Sequence, residues 1–458
     1  MDVTTKSNKK PQWALLFKLG FIFILICLLL IPISWITELI YERQGLQQQV
    51  EKDISRAWGN AQTITSPILV IPFSKTKLVD KKTIVEDFQL YLAPENVNMV
   101  NNLKSEVRTK GIFSTIVYDD DCKIAATFDL KNLRDDERQY YLNKAFIIVG
   151  LSDPQAIVAG ITSDINGLVS KSFPGTNDAD FVKSGFHTPV NLVDIKDVMT
   201  FSSVLNFRGT SSLRFEPTAK VSTFEVKSNW ASPSFIGRNL PAERNITSAG
   251  FNSTWKASEF NRNTPDSWID GAYVSSLTNM QQTNLEYVNP NIENDLPGVE
   301  LIETANHYHK NLRSIKYAFL IIFLSFLMYF SAEIFQKVRI HPIQYALIGI
   351  SLVVFYTLLL SLSEQIGFNK SYFISFAAVL SLVMTYTFFV LKSWKPTLII
   401  GFLFVLIYGY VFTLLQLEDL ALLVGSIGVF FILAMVMFLS RKIDWYNINQ
   451  ETPEIVEA

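Results

Sequence analysis

Two carboxylates set in long apolar stretches are the first residues in this sequence with a claim to chemistry. Glu333 stands near one end of an apolar run, and Glu364 ends the next. Charge inside lipid is costly, so a central ionisable group would mark a proton or ion pathway. These two lie at the edges of their runs, at opposite faces of the bilayer, where water reaches them. Solvation or pairing at a helix end therefore outweighs a proton relay as their role. No run combines a central charge with a Gly/Pro break, the pattern of many transporter sites.

Other candidates resolve towards structural roles. His307 and His309 stand two apart, and in a strand they would share a face and could hold a metal with Glu303 nearby. Only two such side chains are available, so a solvated juxtamembrane segment is expected. Ser74 and Lys77 form a Ser-x-x-Lys, but its partner Ser-Asp-Asn and Lys-Thr-Gly elements are missing and it follows a strand instead of opening a helix. Asp119-Asp120-Asp121 lacks the ligand spacing of a calcium loop and fits a hairpin turn between two strands. Cys27 falls in an apolar run and Cys122 in the stretch beyond it, too few and too far apart for a disulfide scaffold. Cys122 is expected as a strand residue.

Trp230, Phe235, Phe251 and Trp255 occupy a segment dense in Pro and Gly. They are the candidate interaction residues, as an exposed platform for glycan, lipid or a partner protein. The plainer reading is an aromatic minicore pinned by turns. Arg208, Arg214, Arg238 and Arg244 could meet anionic lipid or glycan, although scattered arginines ordinarily solvate a face. There is no P-loop, glycine-rich dinucleotide fingerprint, His-Glu-x-x-His or Gly-x-Ser-x-Gly. No catalytic, cofactor-binding or metal-binding residue is assigned, and no cofactor is expected.

The elements that must position these residues divide between membrane and solvent. Charged residues make up 18% of the 458, below the roughly 25% usual for soluble proteins. The shortfall is local: Ala318 to Ser440 holds nine charged residues in 123 positions. A span needs about 20 mostly apolar residues. Six are predicted, at Ala14–Trp35, Tyr317–Phe335, Ile343–Ser363, Tyr372–Leu391, Thr397–Gln416 and Leu420–Leu439. The first ends in Pro32-Ile33-Ser34-Trp35 without a small-residue cleavage pattern, so it reads as an uncleaved anchor.

Basic residues in short loops set orientation. Lys6, Lys9 and Lys10 precede the first span; Lys337, Arg339 and His341 follow the second; Lys392 and Lys395 follow the fourth; Arg441 and Lys442 follow the sixth. The alternate connections carry Glu364 with Lys370, and Glu418 with Asp419. Both termini are thus predicted to be cytoplasmic. Trp13, Trp35, Tyr317, Trp394 and Trp445 sit at span ends, as interfacial aromatics do. A net charge of −2 excludes a generally basic nucleic-acid binder.

The predicted layout is a cytoplasmic N-terminus (1–13), an anchor helix (14–36), a periplasmic β-rich domain opening with a juxtamembrane helix (37–313), a five-helix bundle (314–440) and an acidic cytoplasmic tail (441–458). Leu39, Leu46, Val50, Ile54 and Ala57 give the juxtamembrane helix its period. Beyond Gly59 the period shortens towards two, with strand-like runs at Pro67–Phe73, Phe88–Leu92, Ile112–Tyr118, Ile124–Leu130, Ala145–Val149, Leu213–Phe215 and Val221–Val226. Ser276–Asn294 is polar and without period, and reads as a loop. The fold class is a multi-pass α-helical membrane protein, one helix plus five, with a large β-sandwich-like extracytoplasmic domain.

An ordered set of short motifs spans nearly the whole chain. It includes Gly111-Ile112-Phe113, Ser228-Asn229-Trp230-Ala231-Ser232-Pro233-Ser234-Phe235-Ile236-Gly237, Leu240-Pro241-Ala242-Glu243-Arg244, Gly250-Phe251 with Trp255, and Arg313-Ser314-Ile315-Lys316-Tyr317-Ala318. It continues with His341-Pro342-Ile343-Gln344-Tyr345, Gly349, Phe355 to Glu364, and Arg441-Lys442-Ile443-Asp444-Trp445-Tyr446. In this order the sequence resembles the CreD family of bacterial inner-membrane, cell-envelope integrity proteins. Gln365 stands where the family often has histidine, and Ser66 where Gly-Pro is common.

The resemblance implies a link to a two-component regulatory system, colicin tolerance and β-lactam stress, and gives no biochemical activity. The expected function is non-enzymatic support of envelope integrity or the envelope stress response, from the bacterial inner membrane. The periplasmic domain would contact envelope components or partner proteins. Expected partners are membrane lipids, with periplasmic proteins, inner-membrane proteins or cell wall as further candidates, and no nucleic acid. The alternative is a transporter or flippase with a periplasmic substrate-handling domain.

Overall fold

The computed structural model describes residues 13–79, 82–131, 138–178, 180–195, 197–262, 264–281, 295–302, 307–336, 340–417 and 420–441. The chain forms two compact units, one of residues 1–46 with 305–458 and one of residues 47–304.

In the first unit the apolar runs become helices. Among the described residues the helices of the chain are α1 (Trp13–Trp58), α2 (Ser276–Gln281, in the second unit), α3 (His307–Lys316), α4 (Ala318–Gln336), α5 (Pro342–Ile366), α6 (Phe368–Leu391), α7 (Trp394–Gln416) and α8 (Ala421–Ser440). Among the described residues, α1 and α4 to α8 are long and apolar enough to cross a membrane, the one-plus-five arrangement read from the sequence. At 1.5 Å per residue α1 is roughly 70 Å long, more than twice a hydrocarbon core of about 30 Å, so only part of it lies in lipid. His341 caps α5 by accepting from the Ile343 amide at 3.3 Å, while the Gln344 side chain answers the His341 amide at 2.9 Å. A β-carbon on Gly349 would collide with Leu29 of α1 and stand 2.9 Å from the Phe326 ring of α4. Glycine there lets three helices meet closely.

The second unit is β-rich. An eight-stranded sheet runs in the order Glu243–Thr247, Gly250–Ser258, Val221–Ser228, Asn96–Lys110, Phe113–Asp129, Val198–Thr210, Thr162–Ile165, Leu168–Lys171. Its pairings are antiparallel except that between Asn96–Lys110 and Val221–Ser228. A seven-stranded sheet is built around Ile68–Val79, Lys82–Leu92 and Ala145–Gly150. A four-stranded sheet joins Gln62–Thr65, Ser212–Glu216, Gly298–Leu301 and Pro233–Ile236.

All three sheets feed one apolar core, with Leu69, Ile71, Met99, Ile124, Phe128, Ile147, Phe201, Phe224 and Val299 among its residues. The seven-stranded sheet also buries its other face, where Tyr91 stacks on Trp268 at 5.2 Å beside Phe181, Val70 and Ile148. Burial on both sides explains the unbroken apolar run Ile68–Ile71. The last turns of α1 pack on this unit. Trp58 Nε1 donates to the Tyr118 carbonyl at 3.3 Å, and the Arg108 and Arg208 guanidinium groups lie 4.3 and 4.0 Å from its ring centroid.

The structure corrects two local readings. Asp119-Asp120-Asp121 is no hairpin turn: it lies mid-strand in Phe113–Asp129. The turn falls at Gly111 and Ile112, with Gly111 at φ +67° and Lys110 paired to Phe113. Alternation then separates the three carboxylates. Asp119 meets Arg208 at 3.0 Å and Asp121 meets Lys104 at 3.0 Å, both on the outer face. Asp120 turns into the core, only 1% exposed, where Oδ1 accepts the Asn102 amide at 2.9 Å and Oδ2 has no partner. Ser276–Asn294, read as a loop, opens with the short helix α2, and its residues 282–294 lie outside the described ones.

Burial pushes the Asp120 carboxyl well above the usual carboxylate range, and the neighbouring Asp121 adds to the shift. A raised folded-state pKa gives stability that is complete below the unfolded pKa of about 3.9 and is lost as pH rises towards the folded value. Asp120→Asn removes that loss. Its melting temperature relative to wild type is expected to climb steadily between pH 5 and 8 in thermal unfolding of the purified protein; a constant offset would refute the assignment.

Candidate functional site

The candidate residues fall in two places, the aromatic segment of the β-rich unit and the ends of the membrane helices. In the first, Trp255 is 1% exposed and Phe251 4%, both on the core face of strand Gly250–Ser258. Phe235 meets them edge-on, with ring centroids 6.0 Å from Phe251 and 5.7 Å from Trp255. Phe215 lies 6.0 Å from Trp255 and stacks on Phe224 at 4.7 Å. Trp230 is half-buried against the same core and donates Nε1 to the Ile302 carbonyl at 3.1 Å. The segment is therefore built as core, and Phe251 and Trp255 do not form an exposed platform.

At the membrane helices, each carboxylate is tied to α1. Lys18 of α1 forms an ion pair with Glu333 of α4 and donates to the Ile340 carbonyl at 3.1 Å. Tyr345 of α5 donates its hydroxyl to Glu333 at 3.1 Å, and the Lys18 ammonium lies 5.5 Å from the centre of that ring. Further along α1, Arg43 approaches Glu364 of α5 at 3.9 Å. The Tyr308 hydroxyl of α3 donates to Glu364 at 3.0 Å, and Asn311 of α3 donates to Ser363 at 2.8 Å. Burial and the Glu364 carboxylate push the Tyr308 phenol up, so it stays a donor.

Lys18 and Arg43 are 25 residues apart, roughly 37 Å along a helix, enough to bracket a hydrocarbon core. The first meets the end of α4 and the start of α5; the second meets the end of α5. Helices α1 and α5 thus run the same way and α4 runs against them. Two charged clasps fasten the anchor helix to the α4–α5 hairpin, one at each edge. Such contacts hold helices in register, whereas a relay needs groups spaced through the interior.

The remaining candidates have structural neighbours. His307 and His309 lie on α3, not on a strand, and residues two apart on a helix point to different sides. That removes the shared face a metal pair required; Glu303 lies outside the described residues. Among the described residues no cluster of three His, Cys, Asp or Glu could hold a metal. Ser74 is buried and accepts the Tyr141 hydroxyl at 3.3 Å; the Lys77 side chain lies outside the description. Cys122 is buried mid-strand, and burial pushes its thiol up, away from the reactive thiolate. Arg208 pairs with Asp119, Arg238 with Asp295 at 2.8 Å, and Arg214 donates to Ser212 at 2.9 Å.

Two features escaped the sequence. The ion-pair partner of Glu333 is Lys18, 315 positions away. Glu216, buried at the end of a core strand, accepts the Ser275 hydroxyl at 2.5 Å and the Ser276 amide at 2.8 Å. It thereby binds the start of α2. An acidic residue closing an apolar strand was the available signal.

A family model described as inner membrane protein CreD matches residues 14–446. Inner membrane protein CreD of Escherichia coli (strain K12) is 32% identical over 445 residues, covering 95% of this chain and 94% of the relative.

Proposed function

Because the chain belongs to the CreD family of inner membrane proteins, we propose that it supports cell-envelope integrity and the envelope stress response without catalysing a reaction. The reading places both termini in the cytoplasm and the β-rich unit in the periplasm. The basic residues Lys18, Lys392, Lys395 and Arg441 favour that orientation, since each stands at the helix end assigned to the inner side. Partners in this reading are membrane lipids, periplasmic or inner-membrane proteins, or cell wall.

One observation carries the proposal of contact: the outward face of the eight-stranded sheet. Asn98, Ala125, Thr127, Thr200, Ser202 and Thr223 line a shallow concavity across its strands, with Asp164 at one side. Small amide and hydroxyl side chains on a broad sheet face offer hydrogen bonds without demanding a charged ligand. The aromatic segment, buried in the core, supports that sheet from behind.

The test is in-cell photocrosslinking of the full-length protein with a photoreactive residue in place of Asn98, Thr127 or Ser202. One defined envelope adduct is expected from these positions and none from the exposed Val193, which lies outside that sheet. The same adduct pattern at all four would count against this face as the contact surface.

A further inference from the structure

Inside the membrane bundle three hydroxyls are buried without a hydrogen-bond partner: Tyr356 Oη on α5, Ser375 Oγ on α6 and Tyr408 Oη on α7. Their residues are 2%, 0% and 1% exposed. Tyr356 lies ten residues before the end of α5, Ser375 seven after the start of α6, and Tyr408 eight before the end of α7. At 1.5 Å per residue these depths are all roughly 10 to 15 Å in from one end of the bundle. Aromatic contacts place the tyrosines at one level. Phe355 meets Tyr356, Tyr372 and Tyr408 edge-on, with centroids 5.0, 5.4 and 4.8 Å away. Tyr372 of α6 donates to the Tyr408 carbonyl at 2.8 Å, which joins α6 to α7 at the same height.

An unpaired hydroxyl is costly in any interior, and lipid offers it nothing. Tyr356 and Tyr408 meet around the Phe355 ring, and Ser375 lies one turn beyond Tyr372 at a similar depth, so the three call for a polar guest. Each hydroxyl offers one donor and acceptor lone pairs. On the described residues of these helices Glu364 and Lys370 stand towards the end of the bundle and Lys392 and Lys395 at the far end, so the guest has no counter-charge and is neutral. Phe355, Phe376 and Phe404 pack around Tyr408, an aromatic surround that suits a small guest. Water has the right size and hydrogen-bonding capacity.

We propose that Tyr356, Ser375 and Tyr408 form an internal water site that links α5, α6 and α7 in the outer half of the bundle. The site makes their contact a polar one that can be remade if the helices shift. It is independent of the envelope-contact reading above.

Radiolytic footprinting tests it on the full-length protein in lipid nanodiscs. An X-ray pulse turns water into hydroxyl radicals, and a buried side chain is oxidised only where water is bound beside it. Tyr329 is the control, since it is 1% exposed and its hydroxyl is bonded to Thr387. Tyr356 and Tyr408 are expected to oxidise several-fold faster than Tyr329; rates no faster than Tyr329 overturn the proposal. In the triple variant Tyr356→Phe, Ser375→Ala, Tyr408→Phe, oxidation of Phe355 is expected to fall several-fold. An unchanged Phe355 rate overturns the assignment of the water to these hydroxyls.

Discussion

Replacing Trp255 by alanine is expected to cost the β-rich unit about 3–5 kcal/mol, the range for deleting a large aromatic from a packed core. The indole is buried and holds Phe235 edge-on, while Phe215 and Phe224 stack behind it. Alanine leaves a cavity that three sheets cannot collapse around. For a unit of this size the melting temperature falls by roughly 6 to 20 °C. Trp230→Ala, at a half-buried site with one hydrogen bond to the Ile302 carbonyl, is expected to cost about 1–2 kcal/mol. Thermal unfolding of the full-length protein, followed by tryptophan fluorescence, measures both. If Trp255→Ala proved the milder of the two, the aromatic segment would not be the core it is described as.

The second large effect concerns the clasp at Lys18. Glu333→Lys sets two cations against the Tyr345 ring where an ion pair stood, at an expected cost on the order of 3 kcal/mol. Lys18→Glu alone costs a similar amount. Combining the two reverses the pair and is expected to recover most of the loss, so the double-mutant cycle shows a coupling of about 1–3 kcal/mol. Additive costs would show that the clasp does not fasten α1 to α4. The neutral change Glu333→Gln separates the function classes. A clasp tolerates it with modest destabilisation, whereas ion-coupled transport through this carboxylate would be abolished.

Legibility followed the length scale of each signal. Membrane spans declare themselves in about 20 consecutive residues, and the predicted Tyr372–Leu391 and Thr397–Gln416 coincide at their ends with α6 and α7. Where a strand is buried on both faces, as at Ile68–Ile71, it showed as a continuous apolar run. Asp119–Asp121 misled because three acidic residues resemble a turn. The partners that give each a place, Arg208, the Asn102 amide and Lys104, come from neighbouring strands. The sequence left His307 and His309 without a period to read, because α3 is short and polar, with only Tyr308, Asn311 and Ser314 on its buried face. Lys18 and Glu333 are each a charge in an apolar run. Nothing local joins residues 315 apart, so their pairing belongs to the helix packing alone.

In the proposed function the β-rich unit, held in the periplasm by the membrane helices, sustains the envelope. The most direct measurement is the survival of cells lacking this protein under detergent and osmotic downshift, complemented by the full chain or by a chain without residues 62–301. Deletion is expected to sensitise the cells, the full chain to restore them, and the shortened chain to reach the membrane without restoring them. Unchanged survival after deletion, or equal rescue by the shortened chain, would contradict it.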